Sequence, residues 1–366
     1  MLWLSLSKFH SVAPGASLVC IMTLATGIGG PWLGILLDRR QSPGRVLALS
    51  LAGYALALVM LTLTMGVVPQ WESMGLALGM GAAMAAASGG WSSQVLLGES
   101  LSQRAWVTGL DAMTYNAAGL LGPTMAGVLY TVKGPRMTLG AMVVFLVTAI
   151  WFAWSLPKGD RGVPPLARVD MREALWSGYQ TLLSNAPLRY VTLVSSISYC
   201  GFGMLWTIMP VLAQIVWGRP AYSGILLSIL ALGAFFGTVS YLKGGDKEPD
   251  TLVGVTTLVM GGGTFALIFV RSLPSAIMAA LIIGWADGAQ LAAVLGVRNR
   301  VVARGERGQA FTATASVKIL GVSLGVFIGG HLVAMSLPMG ITAATLVQLL
   351  AASVQFLRKR QDQQSP

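Results

Sequence analysis

Eleven runs of about 20 apolar residues, separated by polar turns, constrain this chain more than anything else in it. They cover 16–37, 46–67, 74–94, 106–130, 137–156, 190–216, 222–242, 251–270, 275–297, 310–335 and 338–357. At about 1.5 Å of rise per residue, a run of that length crosses a hydrocarbon core of about 30 Å as a helix. Only helices and closed barrels satisfy their backbone in lipid. None of the runs alternates apolar with polar residues, so a barrel is excluded. Charged residues are 10% of 366 and apolar ones 55%, whereas a soluble domain is about 25% charged. The fold class is all-α polytopic membrane protein, and its first partner is the lipid bilayer. Residues 1–11 are too short for a twelfth span. The opening MLWLSLSKFHSVAPGAS has no basic region ahead of its apolar residues, so it does not read as a cleaved signal peptide.

The net charge of +11 does not point to nucleic acid, because the cations sit in short turns between spans instead of along one groove. Eighteen Lys and Arg, including Arg39, Arg40, Arg45, Lys158, Arg161, Arg298 and Arg300, fall on one side of the expected membrane; five fall on the other. The richer side is cytoplasmic and includes the C-terminus, as in a multi-pass protein of a bacterial inner membrane. An odd number of spans then puts Met1 outside.

The two halves match at a constant offset of 203 residues. Met1-Leu2-Trp3 falls on Met204-Leu205-Trp206, Gly30 and Gly34 on Gly233 and Gly237, Gly81 on Gly284, Arg104 on Arg307, Gly122 and Gly127 on Gly325 and Gly330, and Pro135 on Pro338. Glycine, proline and arginine mark backbone or packing requirements, which chance matches of Ala and Leu do not. A duplicated membrane unit is a transporter architecture. The second copy has a helix before Met204 with no counterpart in the first, so the first copy is expected to lack its opening span. The expected organisation is an N-terminal bundle over 1–156, with five helices and a fragment of a sixth. A linker follows over 157–189, with an amphipathic helix at 171–185, then a six-helix bundle over 190–357 and a cytoplasmic tail over 358–366. The linker helix suits a membrane-surface anchor or a plain connector equally.

The segment GPWLGILLDRRQSPGRVL (30–47) resembles the signature loop between the second and third helices of the major facilitator superfamily. Gly34, Asp38, Arg39 and Arg45 fit that pattern; Gln41 stands at the usual glycine, and the loop is one residue longer. The segment AAGLLGPTMAGVL (117–129) resembles the Gly-Pro motif of the family's fifth helix through Gly119, Gly122, Pro123 and Gly127. That motif accompanies antiporters, although general helix packing accounts for the partial version here. The resemblance implies a two-bundle 6+6 fold, of which this chain carries 11 helices, working as a monomer by alternating access. It also implies that Asp38, Arg39 and Arg45 latch one conformation.

Ionisable residues inside spans are costly and need a reason. Asp111, Asp287 and Lys318 are the three here. Asp287 lies near the midplane of its span, with Gln290 at i+3 on the same face, and is the candidate for a proton- or cation-binding group; a polar interhelical contact is the competing role. Asp111 and Lys318 lie shallower on equivalent helices and could pair across the two halves, while snorkelling to headgroups is favoured for Lys318. Trp91, Gln94, Tyr115, Asn116, Tyr199, Trp206 and Gln214 are candidates for lining a substrate cavity. The G-x-S-x-G match at 321–325, followed by His331, lacks the strand–turn–helix setting of a hydrolase. Two histidines, two isolated cysteines (Cys20 and Cys200) and the lack of a P-loop motif give no basis for a metal, a cofactor or direct ATP coupling. The expected function is therefore not enzymatic. It is secondary transport of a small organic compound coupled to protons, with export preferred. The alternative is a non-transporting membrane protein, either a degenerate or truncated copy or a sensor on the same fold.

Overall fold

The computed structural model describes the backbone of residues 1–39, 42–95, 101–156, 171–243, 249–302 and 307–364. Side chains within these segments are described except at 30–39, 43, 85–95, 101–113, 115, 116, 171–175, 177, 242, 243, 249, 299, 307–309, 311, 312 and 358–364. The described chain is helical apart from turns and one isolated bridge between Met65 and Val68. In order, the helices are α1 (Leu2–Phe9), α2 (Ala13–Arg39), α3 (Pro43–Thr64), α4 (Gln70–Val95), α5 (Leu101–Trp154), α6 (Met171–Ser184), α7 (Ala186–Trp217), α8 (Ser223–Lys243), α9 (Pro249–Ala266), α10 (Leu273–Val301), α11 (Arg307–Met335) and α12 (Leu337–Gln364). Each of the eleven apolar runs falls on one of α2–α5 or α7–α12. Among the described residues, eight helical segments are long and apolar enough to cross a bilayer.

Two of the runs share the rod α5, which breaks at Gly134, where φ is 78° and ψ is −177°. That region of backbone space is essentially closed to residues with a Cβ. Pro135 follows and has no N–H to continue the ladder. The Gly-Pro pair therefore turns the chain in the space of one residue. The start of α7 is set by Asn185, whose side chain accepts from the Leu188 N–H at 3.0 Å. The start of α10 is set by a reciprocal Ser272–Ser275 capping box with Pro274 in the first turn.

Packing follows the small residues. In the first half α2 lies on α4, and the second arm of α5 lies on α3 through Leu47, Ala48, Leu51 and Ala153. In the second half α8 lies on α10, α7 lies between α11 and α12, and α9 lies on α10 and α12. The α2–α4 and α8–α10 pairs use the same device. The Thr26 hydroxyl donates to the Gly81 carbonyl at 3.0 Å, and the Thr238 hydroxyl donates to the Gly288 carbonyl at 3.2 Å. The linker helix expected at 171–185 is α6, which buries Leu182 against Leu188, Val302 and Ala310 and leaves Trp176 exposed.

The halves meet along two seams, α2 on α11 and the first arm of α5 on α8. Gly127 and Gly330, equivalent at the 203-residue offset, occupy one seam each. Gly127 lies against the Ala221 carbonyl and Gly224, and Gly330 lies against the Ala16 side chain. Further bonds across the seams run from the Thr124 N–H to the Ser228 hydroxyl at 3.1 Å, from Ser323 to Thr23 at 2.7 Å, and from the Trp3 indole to Ser223 at 2.9 Å.

Candidate functional site

Asp287 is the fifteenth of the 29 residues of α10, so about 21 Å of helix precedes it. It is 9% exposed. Two helices from elsewhere in the sequence bring its neighbours. The Tyr199 hydroxyl of α7 faces the Asp287 carboxylate. The Lys318 ammonium of α11 sits over the face of the same tyrosine ring, 3.4 Å from its centroid, and is electrostatically coupled to Asp287. One aromatic ring thus has a cation on its face and a carboxylate at its hydroxyl. A desolvated cation–π contact of this kind is worth about 2 kcal/mol. Lys318 is therefore committed to the interior, and the snorkelling expected of it is not what its ammonium does. Cys200 and Ser196, flanking Tyr199 on α7, have their carbonyls packed against Gly325 and Gly321 of α11. This close approach brings Lys318 to the ring.

Arg298 completes the cluster. Counted from sequence as an ordinary turn cation, it is only 5% exposed, and its Nε and Nη2 have no hydrogen-bond partner among the described residues. It is electrostatically coupled to both Tyr199 and Lys318. The Oδ1 atom of Asp287 is likewise without a hydrogen-bond partner among the described residues. No local signal marked Arg298, because it stands one residue beyond the apolar run that ends at Val297. At the 203-residue offset, Met84 and Tyr115 stand in the first half where Asp287 and Lys318 stand in the second.

Gln290, expected beside Asp287, is 0% exposed and belongs to helix packing. Its amide donates to the Ser198 hydroxyl at 3.0 Å and the Thr257 hydroxyl at 2.6 Å, and Ser198 donates in turn to Gln348 at 2.7 Å. This network ties α7, α9, α10 and α12 together and leaves Gln290 no free donor to offer a ligand. Trp206 packs against the Ala16, Val19 and Val326 cluster at the α2–α11 seam, and Gln214 is exposed near the end of α7. Gly119 and Gly122 have no atom within 4 Å of where a Cβ would stand, whereas Pro123 and Gly127 meet α8. The motif over 117–129 is therefore split between an open face and a packed one. Arg45 lies 5.7 Å from the centroid of the Trp154 ring. The side chains of Asp38, Arg39, Trp91, Gln94, Asp111, Tyr115 and Asn116 lie outside the described set, and of Gly34 only the helical backbone is described.

A sequence profile of the Major Facilitator Superfamily matches residues 2–247. No curated protein sequence matches the chain. A bacterial homologue of the human lysosomal transporter Spinster, solved inward-facing and unoccupied, superposes with a TM-score of 0.74 at 14% identity, over 98% of this chain and 92% of that one. A mutant of the nucleoside transporter NupG gives 0.74 at 14% identity, over 97% and 92%. The human organic anion transporter MFSD10 gives 0.60 at 16% identity, over 93% and 83%. At these identities the likeness is one of fold.

Proposed function

The chain belongs to the Major Facilitator Superfamily, a family of secondary transporters, and on that premise we propose that it moves a small organic compound by proton-coupled transport, export of an amphiphilic compound being preferred, with Asp287 as the proton carrier. The bundles over 1–156 and 190–357 rock about the two glycine-bearing seams, and the 157–189 linker keeps them on one chain. The C-terminus is cytoplasmic and the membrane is a bacterial inner membrane, as the distribution of Lys and Arg favours. The protein works as a monomer.

The observation that carries this reading is a carboxylate held mid-span, 9% exposed, with one oxygen unpartnered among the described residues. A buried carboxyl group with that geometry is able to exchange a proton with whichever aqueous side the cavity opens to. The groups facing it are Tyr199 from α7 and Lys318 from α11, with Arg298 further along its own helix. Tyr199 faces the charged form with its hydroxyl and Lys318 supplies a nearby countercharge, and protonation of Asp287 removes the charge that attracts Lys318. This change in attraction between α10 and α11 is what couples the proton to helix movement. The Asp38–Arg45 loop acts as a latch on switching.

The test uses proteoliposomes with a trapped pH dye, an imposed pH gradient and a panel of fluorescent amphiphiles. Wild-type protein is expected to move protons only when a transported compound is present. Asp287→Asn is expected to fold, to exchange compound, and to lose accumulation driven by the gradient. Unchanged coupling in an Asp287→Asn variant of normal melting temperature eliminates Asp287 as the carrier.

A further inference from the structure

The two Arg298 atoms left without partners, Nε and Nη2, are not an arbitrary pair. They form one edge of the planar guanidinium, with two parallel N–H bonds spaced to meet two oxygens of a single carboxylate or phosphate. A buried arginine stays protonated, so burial does not remove its need for an acceptor. Buried donors of native proteins are almost always satisfied, and an exception calls for a reason. The charges agree with the geometry. Lys318 lies within reach of one carboxylate, Asp287, and of a second cation, Arg298, which leaves one positive charge in excess among the described residues of a buried site. Tyr199 adds an apolar ring between them, with Lys318 on its face.

We infer that this cluster is the substrate site, and that it takes an amphiphile bearing a two-oxygen anionic head, a carboxylate or phosphate, gripped by the Arg298 edge and neutralised together with Lys318. This rests on the transporter reading and deepens it by naming the substrate class. The apolar part of the substrate lies against Tyr199. Substrate and proton then address opposite signs of one cluster: a proton on Asp287 removes the charge that competes with the anion for Lys318, and loss of the proton restores that competition. A bound anion and a protonated Asp287 favour one another, so as they stand the charges favour carrying the two together.

The test is calorimetric titration of the full chain in phosphatidylcholine nanodiscs with octanoate, octyl phosphate and octylammonium. At least one of the two anions is expected to bind tenfold or more tighter than octylammonium, and the preferred one identifies the head group. Arg298→Lys keeps the charge but not the fork, and is expected to cost tenfold or more in anion affinity at an unchanged melting temperature. Asp287→Asn removes the opposing charge and is expected to tighten anion binding while abolishing accumulation driven by pH. Equal or better binding of octylammonium overturns the inference, as does full anion affinity in a stable Arg298→Lys variant. If Arg298→Lys does not fold, the wild-type comparison of the three head groups decides. Displacement of the bound anion by phosphatidylglycerol in the disc makes this a lipid-headgroup site and overturns the substrate assignment. If octylammonium binds best while transport dependent on Asp287 persists, the anion inference falls and the transporter reading stands. If anions bind as expected but no compound moves, the reverse holds.

Discussion

The α5–α8 seam offers a direct test of how the halves move. Gly127 to Ala adds one carbon, which would stand 2.6 Å from the Ala221 carbonyl oxygen, where ordinary contact begins near 3.4 Å. The two helices must part by about 0.8 Å, and both contacting atoms at that point are backbone, so no side chain can swing aside. Overpacking of this kind costs about 1–3 kcal/mol. The cost falls only on the conformation in which the seam is closed. It therefore appears as a shift between conformations before it appears as unfolding, and 1–3 kcal/mol corresponds to about 5- to 150-fold in that equilibrium. Nitroxides at Val132 and Arg219, both exposed and flanking the seam, would report it as a longer-distance population in double electron–electron resonance. The control is Gly122→Ala on the same helix, which adds its methyl where nothing stands within 4 Å and is expected to leave the distances unchanged. A Gly127→Ala distance distribution no broader than that of Gly122→Ala would refute the claim that close backbone contact holds this seam.

Four further outcomes are expected, three from the packing and one from the signature loop. Gly288→Ala drives a methyl into the Ala234 carbonyl and strains the Thr238 bond; thermal unfolding in detergent should show a loss of about 2–4 kcal/mol, against no loss for Gly262→Ala, which meets nothing within 4 Å. Gly134→Ala forces a Cβ into a glycine-only backbone region, at about 1–3 kcal/mol, read by the same unfolding assay. Ser198→Ala removes the hydroxyl shared by Gln290 and Gln348, and is expected to lower stability by about 1–2 kcal/mol while leaving transport selectivity unchanged in flux assays. Asp38→Asn is expected to slow turnover while holding substrate affinity within about threefold, less than 1 kcal/mol, and a large loss of binding in folded protein would count against a latch.

Much of the fold was legible in the sequence because it is dictated by length and solvent. An apolar run such as 338–357 has one way to satisfy its backbone in lipid, and α12 takes it. The repeat was legible for a related reason: Gly127 and Gly330 serve equivalent seams, so the same lack of a Cβ is required twice. The rod α5 was read as two spans, and the Gly134–Pro135 pair explains both the division and its abruptness. The site was less legible. Asp287 stood out because a carboxylate in an apolar run has no local excuse, but its partners Tyr199 and Lys318 are 88 and 31 residues away. Helical periodicity places Gln290 on a shared face without saying whether a neighbouring helix already covers it, and Ser198 and Thr257 do. Arg298 escaped because a cation beside a span end has an ordinary explanation, and only its burial sets that explanation aside.

The threonine-to-glycine bonds of α2–α4 and α8–α10 also bear on biogenesis. Each joins helices that are not consecutive, so the first of the pair leaves the ribosome and enters the bilayer before its partner exists. For α8 this is tolerable, because its span is long and apolar enough to reside alone. Its Gly233 and Gly237 meanwhile face lipid and hold nothing until α9 has threaded back and α10 arrives. Insertion and assembly are therefore separate events. A nascent chain stalled between α9 and α10 would be fully integrated in the membrane and still carry an unfilled glycine groove. That groove is a feature by which membrane proteases and chaperones could tell an unfinished copy from a finished one.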